Sequence, residues 1–259
     1  GNGGVARALI AIRGNTVGRT GLKGYGSGIS AAYGCQAVIE GNTITDASGG
    51  VWVYSDSTAL VRGNTITQSA VEAEGIHVFR QGQATVEGNI IQGTPTKGIW
   101  VSESGTQATT ERNRVSGCSG DGVLIETGAE ATSISANTIG QCQGNGVYIR
   151  GAGTVAGDIV TNTVGDCAQC GVWVHESARA GDIADNAASG SSWPAVALCM
   201  GAAAGDIVRN SVSGCQGGVL VAAGSTAGTI GDNSIAQSSE NAVVVCGSEV
   251  GAVEMNTIT

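Results

Sequence analysis

The sequence predicts an all-β fold: a right-handed parallel β-helix solenoid with three short strands per turn and about 11 turns of about 24 residues. Three observations predict it. An asparagine recurs at Asn15, Asn42, Asn64, Asn89, Asn113, Asn137, Asn162, Asn186, Asn210, Asn233 and Asn256, at intervals of 22 to 27 residues. Around each of these, apolar residues alternate in steps of two, the period of a strand with one side turned inward. The chain has 44 Gly and 2 Pro and is rich in Val, Ile, Thr, Asn and Ala, which is strand-and-turn chemistry.

Each unit carries three apolar pieces. The first ends three residues before the asparagine, at Ile39, Val61, Val86, Ile134, Ile159, Ile183, Ile207 and Ile230. The second is centred two residues after it, at Ile44, Ile66, Ile91, Val115, Ile139, Val164, Val212 and Ile235. The third follows a glycine or other small residue, as in Val51/Val53, Ile99/Val101, Val123/Ile125, Val147/Ile149 and Val172/Val174. Turns stacked at about 4.8 Å give a rod on the order of 50 Å long. A propeller blade needs a longer repeat, and a leucine-rich repeat needs leucines on a fixed pattern. The asparagine belongs at a bend, where its amide can bond its counterparts above and below and the local backbone. Cys118, Cys142, Cys167 and Cys215 share one position with Ser191 and Ser238, so they read as a small buried column of reduced thiols. The lone Cys167–Cys170 pair has neither the βαβ setting of a redox site nor the second pair of a zinc site.

Composition bounds the partners. A net charge of −9 argues against duplex nucleic acid or an anionic membrane surface, both of which need a basic patch. No apolar run approaches the length of a membrane span. Compartment stays open. The chain begins mid-turn with GNGGV and stops on the strand MNTIT, so the expectation is one β-helix domain over 1–259, part of a longer chain or of an assembly that covers its ends.

The paired signatures GVWV, GIWV or GVYI and GNTIT or ANTIG resemble the right-handed parallel β-helix repeats of the pectin-lyase-like superfamily. In texture they are similar to the carbohydrate-binding and sugar-hydrolase repeat module. The resemblance covers the whole chain and implies the fold. It does not choose among activities, because that superfamily holds lyases, hydrolases, epimerases and non-enzymatic binders.

Outward positions form columns where function must be sought. One lies between the inward residues of the glycine-initiated strand: Ser30, Trp52, His77, Trp100, Leu124, Tyr148, Trp173, Ala197, Leu220 and Val244. It holds three of the 4 Trp, and aromatic surface facing water is expected to be covered, by stacked neighbours or by a partner. Beside it lie Arg80, Glu103, Glu126, Arg150, His175 and Glu176, the most chemically mixed patch on the chain. A second column carries Asp158, Asp182 and Asp206 on successive turns, with Asp185 and Asp232 near the same corner. Carboxylates about 5 Å apart repel, so a proton, a cation or water must screen them. Calcium held by clustered acids is what the resemblance to polysaccharide lyases implies, which makes this column the candidate metal site. The residues that would complete a lyase are missing: the only lysines are Lys23 and Lys97, and no arginine is placed beside the acids as a base. A third column, just before each asparagine, runs Arg13, Glu40, Arg62, Glu87, Glu111 and turns apolar at Val160, Ala184 and Val208.

The function expected from these columns is a non-catalytic scaffold or interaction module. Its protein partner would bind the aromatic strip of Trp52, His77, Trp100, Tyr148 and Trp173, with Arg150 and His175 alongside. No cofactor is required beyond the calcium that the Asp column would accept. The rival is a carbohydrate-active enzyme, a calcium-assisted polyuronate lyase or epimerase at the Asp158/Asp182/Asp206 corner, or a polysaccharide binder. An ice- or mineral-binding face is a third reading, weakened by its short, interrupted threonine run.

Overall fold

The computed structural model describes residues 9–18, 26–67 and 73–259; the opening GNGGV stretch and Lys23 lie outside them. Among these residues every regular element is a strand. Strands three apart in chain order pair side by side, giving parallel sheets of 11, 11 and 10 strands. The first sheet runs from Leu9–Arg13 to Glu249–Glu254, the second from Thr16–Gly18 to Thr257–Ile258, and the third from Ile29–Ala31 to Val243–Cys246. The described residues thus make ten turns with all three strands and one more with two, close to the repeat count expected.

Register turns the sequence columns into axial ones. Ile39 lies opposite Val61, Val61 opposite Val86, and Ile159 opposite Ile183. All of these are fully buried. The core is the narrow space between the sheets, filled by Val, Ile, Ala and Cys. Thr110 takes one place in the first-sheet column, and its buried hydroxyl has no hydrogen-bond partner.

The asparagine ladder is continuous. Each side chain's Oδ1 accepts from both the backbone N–H and the Nδ2–H of the asparagine one turn earlier, as Asn137 does from Asn113, both at 3.0 Å. The remaining Nδ2–H donates to a carbonyl of the preceding first-sheet strand, Asn137 to Thr110 at 3.0 Å. The amide therefore satisfies backbone groups at a bend where no strand can, the condition for burying such a corner.

The cysteine column is buried as expected, with Cys118, Cys142, Cys167 and Cys215 each about 1% exposed, and all eight cysteines are free thiols. Cys142 and Cys167 each turn their S–H toward the carbonyl two residues back, at 3.5 and 3.6 Å. Hydrogen bonding to Cys118 and burial push the Cys142 thiol up to about 12. Burial likewise raises Cys170. Such thiols are poor nucleophiles at neutral pH.

The charged column before the asparagines forms ion pairs along the axis, Arg13 to Glu40 at 3.0 Å and Arg62 to Glu40 at 2.7 Å. Glu87 pairs instead with Arg112, which sits in the turn beyond the strand. These are solvated contacts of small individual worth.

Candidate functional site

The third sheet carries the aromatic column on its outer surface. Register sets Trp52 opposite His77, His77 opposite Trp100, and Tyr148 opposite Trp173. A second outward file, two residues along, brings in Tyr54, Phe79, Ser102, Glu126, Arg150, His175 and Cys199. The column faces out as the alternation demands, but its rings cover one another. Leu124 is 1% exposed, and His77 and Tyr148 are 8% exposed, while Trp52, Trp100 and Trp173 are half-buried.

The rings form two clusters. In the first, Tyr54 stacks on Phe79 at 4.9 Å, Phe79 on His77 at 4.2 Å, and His77 on Trp100 at 3.8 Å with planes 7° apart. Lys97 Nζ lies 3.9 Å from the Trp100 ring centre. That ring already holds His77 against one face, so the ammonium must cap the other. In the second cluster Tyr148 stacks on Trp173 at 4.9 Å, and Trp173 meets His175 at 4.5 Å and Trp193 at 6.1 Å. The faces of Phe79, His77 and Trp100 are thus spent on neighbours, while Trp52 meets Tyr54 and Phe79 edge-on.

Glu126 joins the two clusters. Its Oε1 accepts the Trp100 indole N–H at 2.9 Å, and its Oε2 accepts from Arg150 Nε at 2.7 Å. Burial works against the Arg150 charge, but the hydrogen bond and charge of Glu126 outweigh it and raise that pKa. Burial lowers the His175 pKa and raises that of Tyr148. The His175 Nδ1 lies 3.1 Å from the Tyr148 hydroxyl and 3.6 Å from Glu176 Oε1. Trp52 and Trp173 keep their indole N–H buried without an acceptor.

The Asp column has a use within the fold. Asp158 Oδ1 accepts the Asp182 backbone N–H at 3.0 Å, Asp182 Oδ1 that of Asp206 at 2.9 Å, and Asp206 Oδ1 that of Thr229 at 2.7 Å. Here the first-sheet strands shrink to Ile183–Ala184 and Ile207–Val208, and carboxylates replace missing ladder bonds. The glycine just before each capped amide, one turn after the Asp that caps it, follows from the same geometry. A Cβ on Gly181, Gly205 or Gly228 would lie 2.2–2.3 Å from the preceding turn's Asp Oδ1. The repeated GD is one device: the glycine leaves room for the carboxylate, and the next Asp repeats the cap. The carboxylates point along the axis to amides, and among the described residues no group of three or more His, Cys, Asp or Glu side chains is arranged to hold a metal ion.

A shorter ladder borders the third sheet. Asp121 Oδ1 accepts from Asn145 N and Nδ2 at 2.8 and 2.9 Å, and Asn145 Oδ1 accepts from Cys170 N at 3.0 Å. Burial raises the Asp121 pKa, with the Asn145 hydrogen bonds opposing. The folded chain then binds this proton more tightly than the unfolded one, so the charge costs stability at neutral pH. That cost is relieved as pH falls through the folded pKa. Asp121→Asn keeps the acceptor and removes the charge; it is expected to stabilise by about 1 kcal/mol at pH 7. Thermal melts should show the advantage shrinking as the pH is lowered toward the ordinary carboxylate range.

The structure therefore gathers Trp100, Arg150, Tyr148, Trp173 and His175 on one face and keeps Asp158, Asp182 and Asp206 on another sheet. Pattern reading missed Glu74, Ser102, Tyr54, Phe79 and Trp193. The first two flank His77, and Trp193 sits in a turn, off the column, half exposed at 50%.

The profile of the right-handed β-helix region matches residues 4–156 and 127–259. No curated protein matches the sequence. Among solved structures, a mutant of the periplasmic alginate epimerase AlgG superposes over 89% of this chain and 70% of its own, at TM-score 0.55 and 12% identity. A double mutant of the same enzyme covers 97% of this chain and 77% of its own, at TM-score 0.50 and 12% identity. The Streptococcus pneumoniae surface protein and adhesin PfbA covers 89% and 77%, at TM-score 0.29 and 10% identity. At such identities the likeness is one of fold.

Proposed function

Because the chain belongs to the right-handed β-helix family, whose coil turns side chains into axial columns, we propose that it is a rigid binding module taking a protein partner along the aromatic face of its third sheet. The observation that carries this reading is how the rings are spent. A sugar docks on the open face of an aromatic ring, and here Trp100 has His77 on one face and Lys97 on the other. What remains for a partner is ring edges, the cationic tips of Arg80, Lys97 and Arg150, and the exposed Trp193 and Met200, at 50% and 56% exposure. Aromatic, Met and Arg side chains are the types enriched at protein interfaces.

Trp193 is the better probe of this face than Trp100, whose indole holds Glu126 and whose loss would disturb the stack. A photo-reactive phenylalanine analogue at position 193 should crosslink one discrete protein from a native extract. The same analogue at Gln107, on the outside of the first sheet, should not. Adding Met200→Ala to Trp193→Ala should weaken capture of that protein roughly tenfold or more, with the circular-dichroism spectrum unchanged. Equal crosslinking from both positions, or glycan retardation in affinity electrophoresis that Trp193→Ala abolishes, would overturn the reading, the latter in favour of a polysaccharide ligand.

A further inference from the structure

Glu74, His77 and Ser102 are 7%, 8% and 4% exposed and lie in line. His77 Nδ1 is 3.4 Å from Glu74 Oε1, and His77 Nε2 is 2.9 Å from Ser102 Oγ. An ionised carboxylate only accepts, so Nδ1 carries the ring proton and Nε2 presents its lone pair to the Ser102 hydroxyl. The ring is held in that orientation between Phe79 and Trp100. Burial lowers its pKa against the opposing pull of Glu74, leaving it neutral and able to accept a proton at pH 7. Burying this polar set costs more than the Trp, Leu or Tyr that fills the same column at Trp52, Leu124 and Tyr148.

We propose that Ser102, His77 and Glu74 are a nucleophile, general base and orienting carboxylate that hydrolyse small acyl esters. The inference goes beyond the binding reading and does not depend on it. Ser102 Oγ attacks the ester carbonyl carbon while its proton passes to His77 Nε2. The carbonyl π pair moves onto oxygen to give the tetrahedral intermediate. Collapse breaks the bond to the alkoxy oxygen, which leaves as the alcohol with the proton from His77. Water then gives a proton to the same Nε2 and attacks the acyl carbon. The carboxylic acid departs and Ser102 regains its proton. The slight exposure of Ser102 restricts the acyl group to one as small as acetyl.

The test uses the purified chain and p-nitrophenyl acetate, following p-nitrophenolate release and mapping acetylated peptides after acid quench. Acetyl should be found on Ser102, and the rate should rise with pH at a midpoint below the ordinary histidine value. Ser102→Ala should abolish the adduct, and His77→Gln should slow it roughly a hundredfold or more. Glu74→Gln should move the midpoint lower, because the carboxylate that supports the imidazolium is gone. Ser135→Ala, on the outside of the first sheet, should leave the rate unchanged. Melting curves of each variant separate lost chemistry from lost fold. Absence of acetyl on Ser102 in the unsubstituted chain overturns the proposal by itself, as does a folded His77→Gln protein that keeps the rate.

Discussion

Asn137→Ala is expected to destabilise the protein by about 3–5 kcal/mol. Asn137 is 1% exposed, and its Oδ1 is the acceptor for the N–H and Nδ2–H of Asn113. Its own Nδ2 serves the Thr110 carbonyl and Asn162 Oδ1, each at 3.0 Å. Truncation leaves two donors and one carbonyl stranded where water cannot reach, and each stranded group costs about 1–3 kcal/mol. Asn256→Ala removes the matching contacts to Asn233 and the Ile230 carbonyl at a half-exposed position, where water replaces them, so about 1 kcal/mol is expected. Because each turn touches only its neighbours, the central substitution should also split the cooperative unit and lower the urea m value. Equal losses at the two positions would show that the ladder is not what holds the corner.

That ladder was legible in the sequence because the coil imposes one period on everything. A residue type recurring every two dozen positions must form a file, and the interior files of Ile39, Val61 and Val86 needed no further information. What stayed hidden is what the files do with their side chains. Spacing sets Trp100 next to His77 but does not say that the rings lie face to face and close their own binding surfaces. Spacing stacks Asp158, Asp182 and Asp206 and suggests a cation, whereas each carboxylate reaches along the axis to the next amide, which the preceding glycine permits. Glu74 and Ser102 were missed for a related reason. They bracket His77 from a turn before the strand and from a neighbouring file one turn away, so no single column contains them.

The same closeness between turns makes Gly122→Ala the other substitution of large expected effect. Gly122 opens the third-sheet strand Val123–Glu126, the position that every GVWV-like signature fills with a glycine or alanine. Its conformation is ordinary and space is the constraint. A Cβ there would lie 2.3 Å from Ile139 Cγ2 and 2.7 Å from the Gly146 carbonyl oxygen. The backbone oxygen belongs to the hydrogen bond that Val123 N makes to the next turn at 2.9 Å, so relief requires the turns to part. Overpacking of this kind costs about 1–3 kcal/mol, and occasionally more; the upper end is expected because backbone as well as side chain obstructs the methyl. Gly171 is the internal comparison. Its Cβ would meet Ala188 Cβ at 3.4 Å and the Ala195 carbonyl at 2.6 Å, and the chain already accepts an alanine one turn on, at Ala195. Gly171→Ala should therefore cost about half as much, and Ile139→Ala combined with Gly122→Ala should cost less than the two losses added. Denaturant titrations of the four variants decide it: additivity in that pair would mean that Ile139 is not what the new methyl strikes.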